Sequence, residues 1–186
     1  MNAFVACTIF CSMPQHNFTY VLKVVEIKTH PACGQIISCS DITALAARDS
    51  VFLHLVFFKV HATHLRSDYR VPLGRCDGLT FATRNATLEN LQLFGSAAWE
   101  LIASVATKGL DATDLVAIFG DHTIGHGNCW SFTAHQDLYT DRTTRPIVTS
   151  FANNQSLFYE RLAFSMITMS MLNVLTWTQG EIRANC

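Results

Sequence analysis

Charge is scarce in this 186-residue chain: Asp, Glu, Lys and Arg together make up 15%, against roughly 25% in an average soluble domain. The 13 basic and 14 acidic side chains nearly cancel, for a formal charge of -1. No basic stripe runs through the sequence, so no nucleic-acid partner is expected. Long apolar runs are missing too. The stretch Val51 to Phe58 is interrupted by His54 and falls well short of the about 20 residues that a bilayer-crossing helix needs. No membrane partner is expected either. No Cys-x-x-Cys pair occurs, which disfavours zinc ribbons and thioredoxin-like redox motifs. Arginine is absent before Arg48, and that gap matters below.

What is present is apolar bulk. Hydrophobic residues reach 49%, enough for the core of one domain. Cysteines stand at 7, 11, 33, 39, 76, 129 and 186. Their wide spacing suits long-range disulfides and an oxidising compartment. The sequons at Asn17, Asn85 and Asn154 point the same way. Ala3 to Cys11 is apolar, but no Lys or Arg precedes it, so it is not expected to act as a signal peptide.

Periodicity predicts a mainly helical fold. Ser38 with Asp41 reads as a capping box, opening a helix that buries Ile42, Leu45 and Ala46. A second helix is expected from about Asn90 to Lys108, with Phe94, Ala98, Leu101, Ile102 and Val105 inward and Gly109 as its left-handed stop. A third starts at Asp111 as N-cap. A last one, about Ser156 to Leu172, turns Phe158, Leu162, Met166 and Met169 inward. Between them, 71–78 reads as a turn-rich loop and 140–149, with Pro146, as a surface connection. The first 23 residues match no pattern and stay unassigned; 24–186 reads as one domain.

His122 is the residue that stands out, because it shares the apolar face of Leu115, Ile118 and Phe119 on the third helix. A lone histidine there is more often a hydrogen-bonded core residue than a ligand. His122 and His126 also have the i, i+4 spacing of a zinc pair, but no Glu follows His122 and no third ligand stands nearby.

Four ordered motifs then carry a resemblance. Cys33 to Val51 (CGQIISCSDITALAARDSV) is close to the C-P-x-x-V-S-C-A-D-I helix of plant secretory (class III) haem peroxidases. Val71 to Gly78 (VPLGRCDG) resembles that family's V-P-L-G-R-R-D-G turn, with Cys76 in place of the second arginine. Asp114 to Gly125 (DLVAIFGDHTIG) resembles its proximal-haem signature, and Leu175 to Cys186 (LTWTQGEIRANC) its closing L-T-G-x-x-G-E-I-R-x-N-C. The chain is identified as a divergent member of this family. The resemblance implies an incomplete plant-type haem peroxidase fold, helices around a haem pocket, over 24–186. His122 is then similar to the proximal ligand of haem b iron, and Thr123 to a ligand of the proximal calcium ion. Cys39 and Cys186 match the half-cystines of one bridge. Hydrogen peroxide and small phenolic donors are the implied partners, the implied location is extracellular, and a monomer is expected.

The departures from the family are equally specific. Its distal helix reads R-x-x-x-H-D-C, and neither His16 nor His30 sits in that context, so none of the distal pair is retained. The family's proximal Asp lies in S-D-Q-x-L; the similar segment here is Ala134-His135-Gln136-Asp137-Leu138, with His135 at that position and an internal deletion near 130–136 just before it. That deletion removes the remaining calcium ligands and the usual partner of Cys129. Two functions follow: a haem peroxidase of impaired activity, or an inactive peroxidase-like fragment that binds haem weakly or not at all. A third reading is a marginally stable helical fragment whose free Cys76 and Cys129 thiols cross-link.

Overall fold

The computed structural model describes residues 37–57, 69–90, 96–121 and 136–186, the side chains at 51–57 and 89–90 excepted. The unassigned segment 1–23, residues 130–135 of the expected deletion region, and Cys7, Cys11, Cys33 and Cys129 lie outside those residues. The named helices are α1 (Cys39–Phe57), α2 (Arg84–Asn90), α3 (Ala98–Ala106), α4 (Ala112–Asp121), α5 (Arg145–Asn153) and α6 (Gln155–Ser170). A single 3-10 turn follows at Trp177–Gln179. Among the described residues no strand forms beyond one isolated antiparallel bridge, Asp77 with Glu181.

The first turn of a helix leaves N–H groups without intrahelical acceptors, and α1 satisfies them from two places. The hydroxyl of Ser38 accepts from Asp41 N–H at 3.0 Å. The Asp77 carboxylate, far along the chain, accepts from the N–H groups of Cys39 at 3.0 Å and Ser40 at 2.8 Å. It also takes the Ser40 hydroxyl at 3.0 Å and Arg183 N–H at 3.1 Å. One buried carboxylate thereby joins the start of α1, the 71–78 loop and the C-terminal segment. Cys39 and Cys186 are joined by a disulfide across the same junction, with Cα atoms 5.4 Å apart.

Two boundaries differ from those the sequence predicts. The second helix begins at Ala98, not Asn90, and Asn90 instead closes the short helix α2. Glu100 explains the start, since its carboxylate accepts from Ala97 N–H at 3.0 Å, a cap that periodicity does not see. The other difference is α5, which occupies most of the expected surface connection. Pro146 sits in its first turn, where a missing N–H costs nothing. The segment is on the surface nonetheless, for none of its residues is buried.

Two apolar clusters hold these helices. One combines Ala47 of α1, Tyr69, and Leu162 and Met166 of α6, with Phe158, Tyr159 and Met169 against it. The other combines Ala98, Leu101 and Val105 of α3 with Leu110, Leu115 of α4 and Leu138. Leu101, Leu115 and Leu162 are 1% exposed, and each such side chain stabilises the fold by about 2 kcal/mol. Gly109, at φ +74°, makes the left-handed turn between α3 and α4 that a side chain would strain.

Candidate functional site

α4 is the helix that leads to residue 122, so how it is held decides what it can present. Asp111 and Asp114 cap it reciprocally: Asp114 N–H donates to Asp111 Oδ1 at 2.8 Å and Asp111 N–H to Asp114 Oδ2 at 3.0 Å. This is the capping-box geometry with Asp in both roles. Both carboxylates sit at the positive end of the helix dipole.

The same two residues tie α4 to α6. The Ser165 hydroxyl donates to Asp114 Oδ1 at 2.6 Å, and Arg161 Nη2 lies 3.0 Å from Asp114 Oδ1 and 3.0 Å from Asp111 Oδ2. Partial burial alone would raise the Asp111 carboxyl. The N–H groups of Asp114 and Thr113 and the Arg161 guanidinium outweigh it and hold the group below its usual range. At the other end of α4, Gly120 faces the ring of Phe158. A Cβ there would come within 2.7 Å of the ring, so any larger residue would force the Phe158 side chain to shift.

The last described residue of α4 is Asp121. Protein atoms crowd its carboxyl, and that burial pushes it up to about 6. Tyr69 lies in the same region: burial first, then the Asp121 and Asp49 carboxylates, push its phenol well above the usual value, with Arg48 acting in the opposite sense. Burial likewise raises Tyr159, against a hydrogen bond from Gln155. Two helix faces are thus distinguished. Asp114 and Gly120 contact α6, whereas Leu115, Ile118 and Phe119 pack with α3 and Leu138. The sequence pattern puts His122 on the second of these faces.

His122 and Thr123 themselves lie outside the described residues, as does His135. The structure therefore brings together the supports of the expected ligand rather than the ligand. Haem b needs one axial imidazole on an anchored helix, and α4, capped at its start and pressed onto Phe158 at its end, fits that need. Among the described residues no group of three or more His, Cys, Asp or Glu side chains could hold a metal ion, and the expected calcium ligand Thr123 lies outside them. The sequence reading missed Arg161 and Ser165. Their only signal was spacing, an Arg and a Ser on the inward side of the last helix, which nothing pairs with Asp111 and Asp114 until the fold is known.

Comparison with known proteins now becomes decisive. The profile of the peroxidase family matches residues 16–153. The chain is 38% identical to Peroxidase 12 of Arabidopsis thaliana, an alignment covering 89% of this chain and 60% of that protein. It is 33% identical to Cationic peroxidase SPC4 of Sorghum bicolor, covering 87% and 58% respectively. The chain thus spans about three fifths of the length of these curated relatives. Among solved structures, the TL29 protein of Arabidopsis thaliana has the same fold, with a TM-score of 0.64 over 88% of this chain and 70% of that one at 16% identity. The chain belongs to the peroxidase family, within the plant class III group, and its mainly helical architecture is an incomplete peroxidase fold.

Proposed function

We propose that this chain is a haem-binding peroxidase of impaired turnover, with His122 as the axial ligand of haem iron. The observation that carries the reading is the anchoring of α4, which has Asp111–Asp114 capping at one end and the Gly120–Phe158 contact at the other. Haem b, when bound, supplies the redox chemistry by which the family reduces hydrogen peroxide and oxidises small phenolic donors. The chain's residues hold the helix that leads to the ligand: the Asp114–Ser165–Arg161 lattice keeps α4 from sliding along α6. Thr123 is the remnant of a calcium site whose other ligands these residues do not supply. The Cys39–Cys186 bridge and the exposed sequon residues Asn85 and Asn154 support an extracellular, glycosylated protein.

Impairment follows from what the 186 residues offer the distal side. No arginine precedes Arg48 to stabilise the leaving oxygen of peroxide, and no histidine in the family's context takes its proton. Acid–base and charge stabilisation each contribute about 10² or more, so turnover is expected to fall by several orders of magnitude. A second reading, an inactive relative that holds haem weakly, is favoured by His135 standing at the position of the family's proximal carboxylate, which normally makes the imidazole a stronger donor.

A haemin titration followed at the Soret band, on this chain and on His122→Ala, tests both. A stoichiometric band lost in the variant supports His122 ligation, and a peroxide assay then measures the impairment. No specific band, or one that ignores the substitution, overturns it and leaves the family assignment as ancestry.

A further inference from the structure

Where residues 76–81 meet the C-terminal segment, two departures from the family motifs fall together. Cys76 stands where the turn motif has its second arginine, and Trp177 where the closing motif has glycine. The Cys76 thiol donates to the Trp177 carbonyl at 3.5 Å, and Cys76 N–H donates to the Leu175 carbonyl at 2.8 Å. The Asp77–Glu181 bridge continues the pairing. The Arg183 guanidinium donates to the Gly78 carbonyl and lies 4.4 Å over the Phe81 ring. Trp177, Phe81 and Leu79 are thereby gathered around one junction, and they are 90%, 82% and 65% exposed. A position charged in the family carries a thiol here, and a position without a side chain carries an indole. Cys76 is the free cysteine among the described residues, and it is partly exposed.

We infer that this surface pairs with the same surface of a second copy of the chain, and that a disulfide between the two Cys76 residues locks the pair. The cysteine count points to a partner outside the chain. Seven cysteines cannot all pair within one molecule, and a leftover thiol in an oxidising compartment pairs between molecules. Area explains why the bond is needed. Aromatic side chains bury about 150–250 Å² each, so two rings from each copy cover about 600–1,000 Å² in all, short of the about 1,600 Å² of a standard stable interface. The apolar contact alone is transient, and the bond makes it last. Charge does not oppose the contact, because Glu181 and Arg183 already pair with each other at 3.0 Å. A self-complementary contact sets a residue near its two-fold axis against its own copy, as a symmetric disulfide requires. A small-molecule disulfide is the oxidant. One Cys76 thiolate attacks it, forming a mixed disulfide and expelling one thiolate. The partner's Cys76 thiolate then attacks the protein-bound sulfur and expels the other. Two protein thiols are oxidised, the small disulfide is reduced to two thiols, and the two protons pass to those products. This pairing depends on neither haem nor His122.

The full chain, folded with its Cys39–Cys186 bridge formed, is incubated with oxidised glutathione. Products are read on a non-reducing gel and by mass mapping of their peptides. The expected product is a reducible dimer whose linked peptide joins Cys76 to Cys76. Aromatic anchors carry much of the energy of an interface, so Phe81→Ser combined with Trp177→Gly should form that dimer about tenfold or more slowly. Its Cys76 should still react with iodoacetamide at least as fast as in the original chain. The inference is overturned if the chain stays monomeric, with or without glutathione on Cys76, or if the dimers are joined through other cysteines. It is also overturned if the folded double variant dimerises as fast as the original chain, which would make the bond a chance collision of exposed thiols. The peptide map of the original chain stands as a test even if the double variant does not fold.

Discussion

Ser165 donates its hydroxyl hydrogen to the carboxylate of Asp114 at 2.6 Å, and both residues are buried, at 0% and 4% exposure. The bond spans 51 positions and is the most direct polar link between α4 and α6. Replacing it tests whether anchoring α4 governs His122. Ser165→Ala leaves Arg161 on Asp114 but removes a hydrogen bond to a charged group, worth about 1.5–3 kcal/mol. A loss of stability in that range is expected in denaturant unfolding, together with weaker haemin binding. A variant that loses the stability yet binds haemin unchanged would detach the helix anchor from the ligand site.

The bridge between Cys39 and Cys186 closes a loop of 147 positions. In the chain-entropy account a loop of that length stabilises the fold by about 5 kcal/mol. Because Asp77 binds both the start of α1 and Arg183 N–H, opening the bridge should loosen that junction first. Cys39→Ser with Cys186→Ser is expected to unfold at markedly lower denaturant than the oxidised chain and to become insensitive to reductant. Equal stability with and without reductant in the original chain would contradict the expected contribution.

How legible was all this in the sequence? Periodicity located α1, α4 and α6 because each buries a stripe against a neighbour: Ile42 and Ala46, Leu115, Leu162 and Met166 are all buried. Asp111 was legible as a cap because capping is local, read from residues three apart. The errors arose where the cause was distant or unusual. Ala97 has no capping side chain, so periodicity starts α3 too early; Pro146 makes 140–149 read as a surface connection, although its place in the first turn is compatible with a helix. The roles of Asp77, Arg161 and Ser165 were invisible, since each acts on residues that only the fold brings near. The family motifs nonetheless located the loop and the C-terminal segment correctly, because a motif carries long-range contacts that periodicity cannot express.

Acid should find the junction at Asp77. Burial would raise its carboxyl, but the N–H groups of Arg183, Cys39 and Ser40 and the Ser40 hydroxyl hold it below its usual value. Arg183 reaches it through its backbone N–H, while its guanidinium pairs with Glu181 at 3.0 Å. With the folded value below the unfolded one, this carboxylate's contribution is complete above the ordinary value of about 3.9. It is lost as pH falls from there through the folded value, because the unfolded chain takes up the proton first. Asp111 adds to the same slope in the same direction. Asp121, pushed up to about 6 by burial, acts in the opposite sense between about pH 6 and 4, so unfolding free energy measured from neutral to acidic pH should rise slightly and then decline below about pH 4. Asp77→Asn should be less stable at neutral pH by about 2–3 kcal/mol and decline less steeply in acid. An identical acid slope in that variant would remove Asp77 from the account.

Trp177 offers the opposite kind of test, a substitution that should stabilise. It stands where the family's closing motif has glycine, and its backbone is left-handed, at φ +52°. Its side chain is 90% exposed, so the indole returns little packing for that conformation. A non-glycine residue held in this region costs about 1 kcal/mol or more, while glycine adopts it freely but gains flexibility in the unfolded chain. The strain relieved should exceed the entropy lost, because the 3-10 turn is already pinned at its start by Gln179 accepting from Thr176 N–H at 3.0 Å. Trp177→Gly is expected to raise stability by about 0.5–1 kcal/mol. Thermal unfolding checks it, and a lower midpoint would mean that the exposed indole has a packing partner of its own.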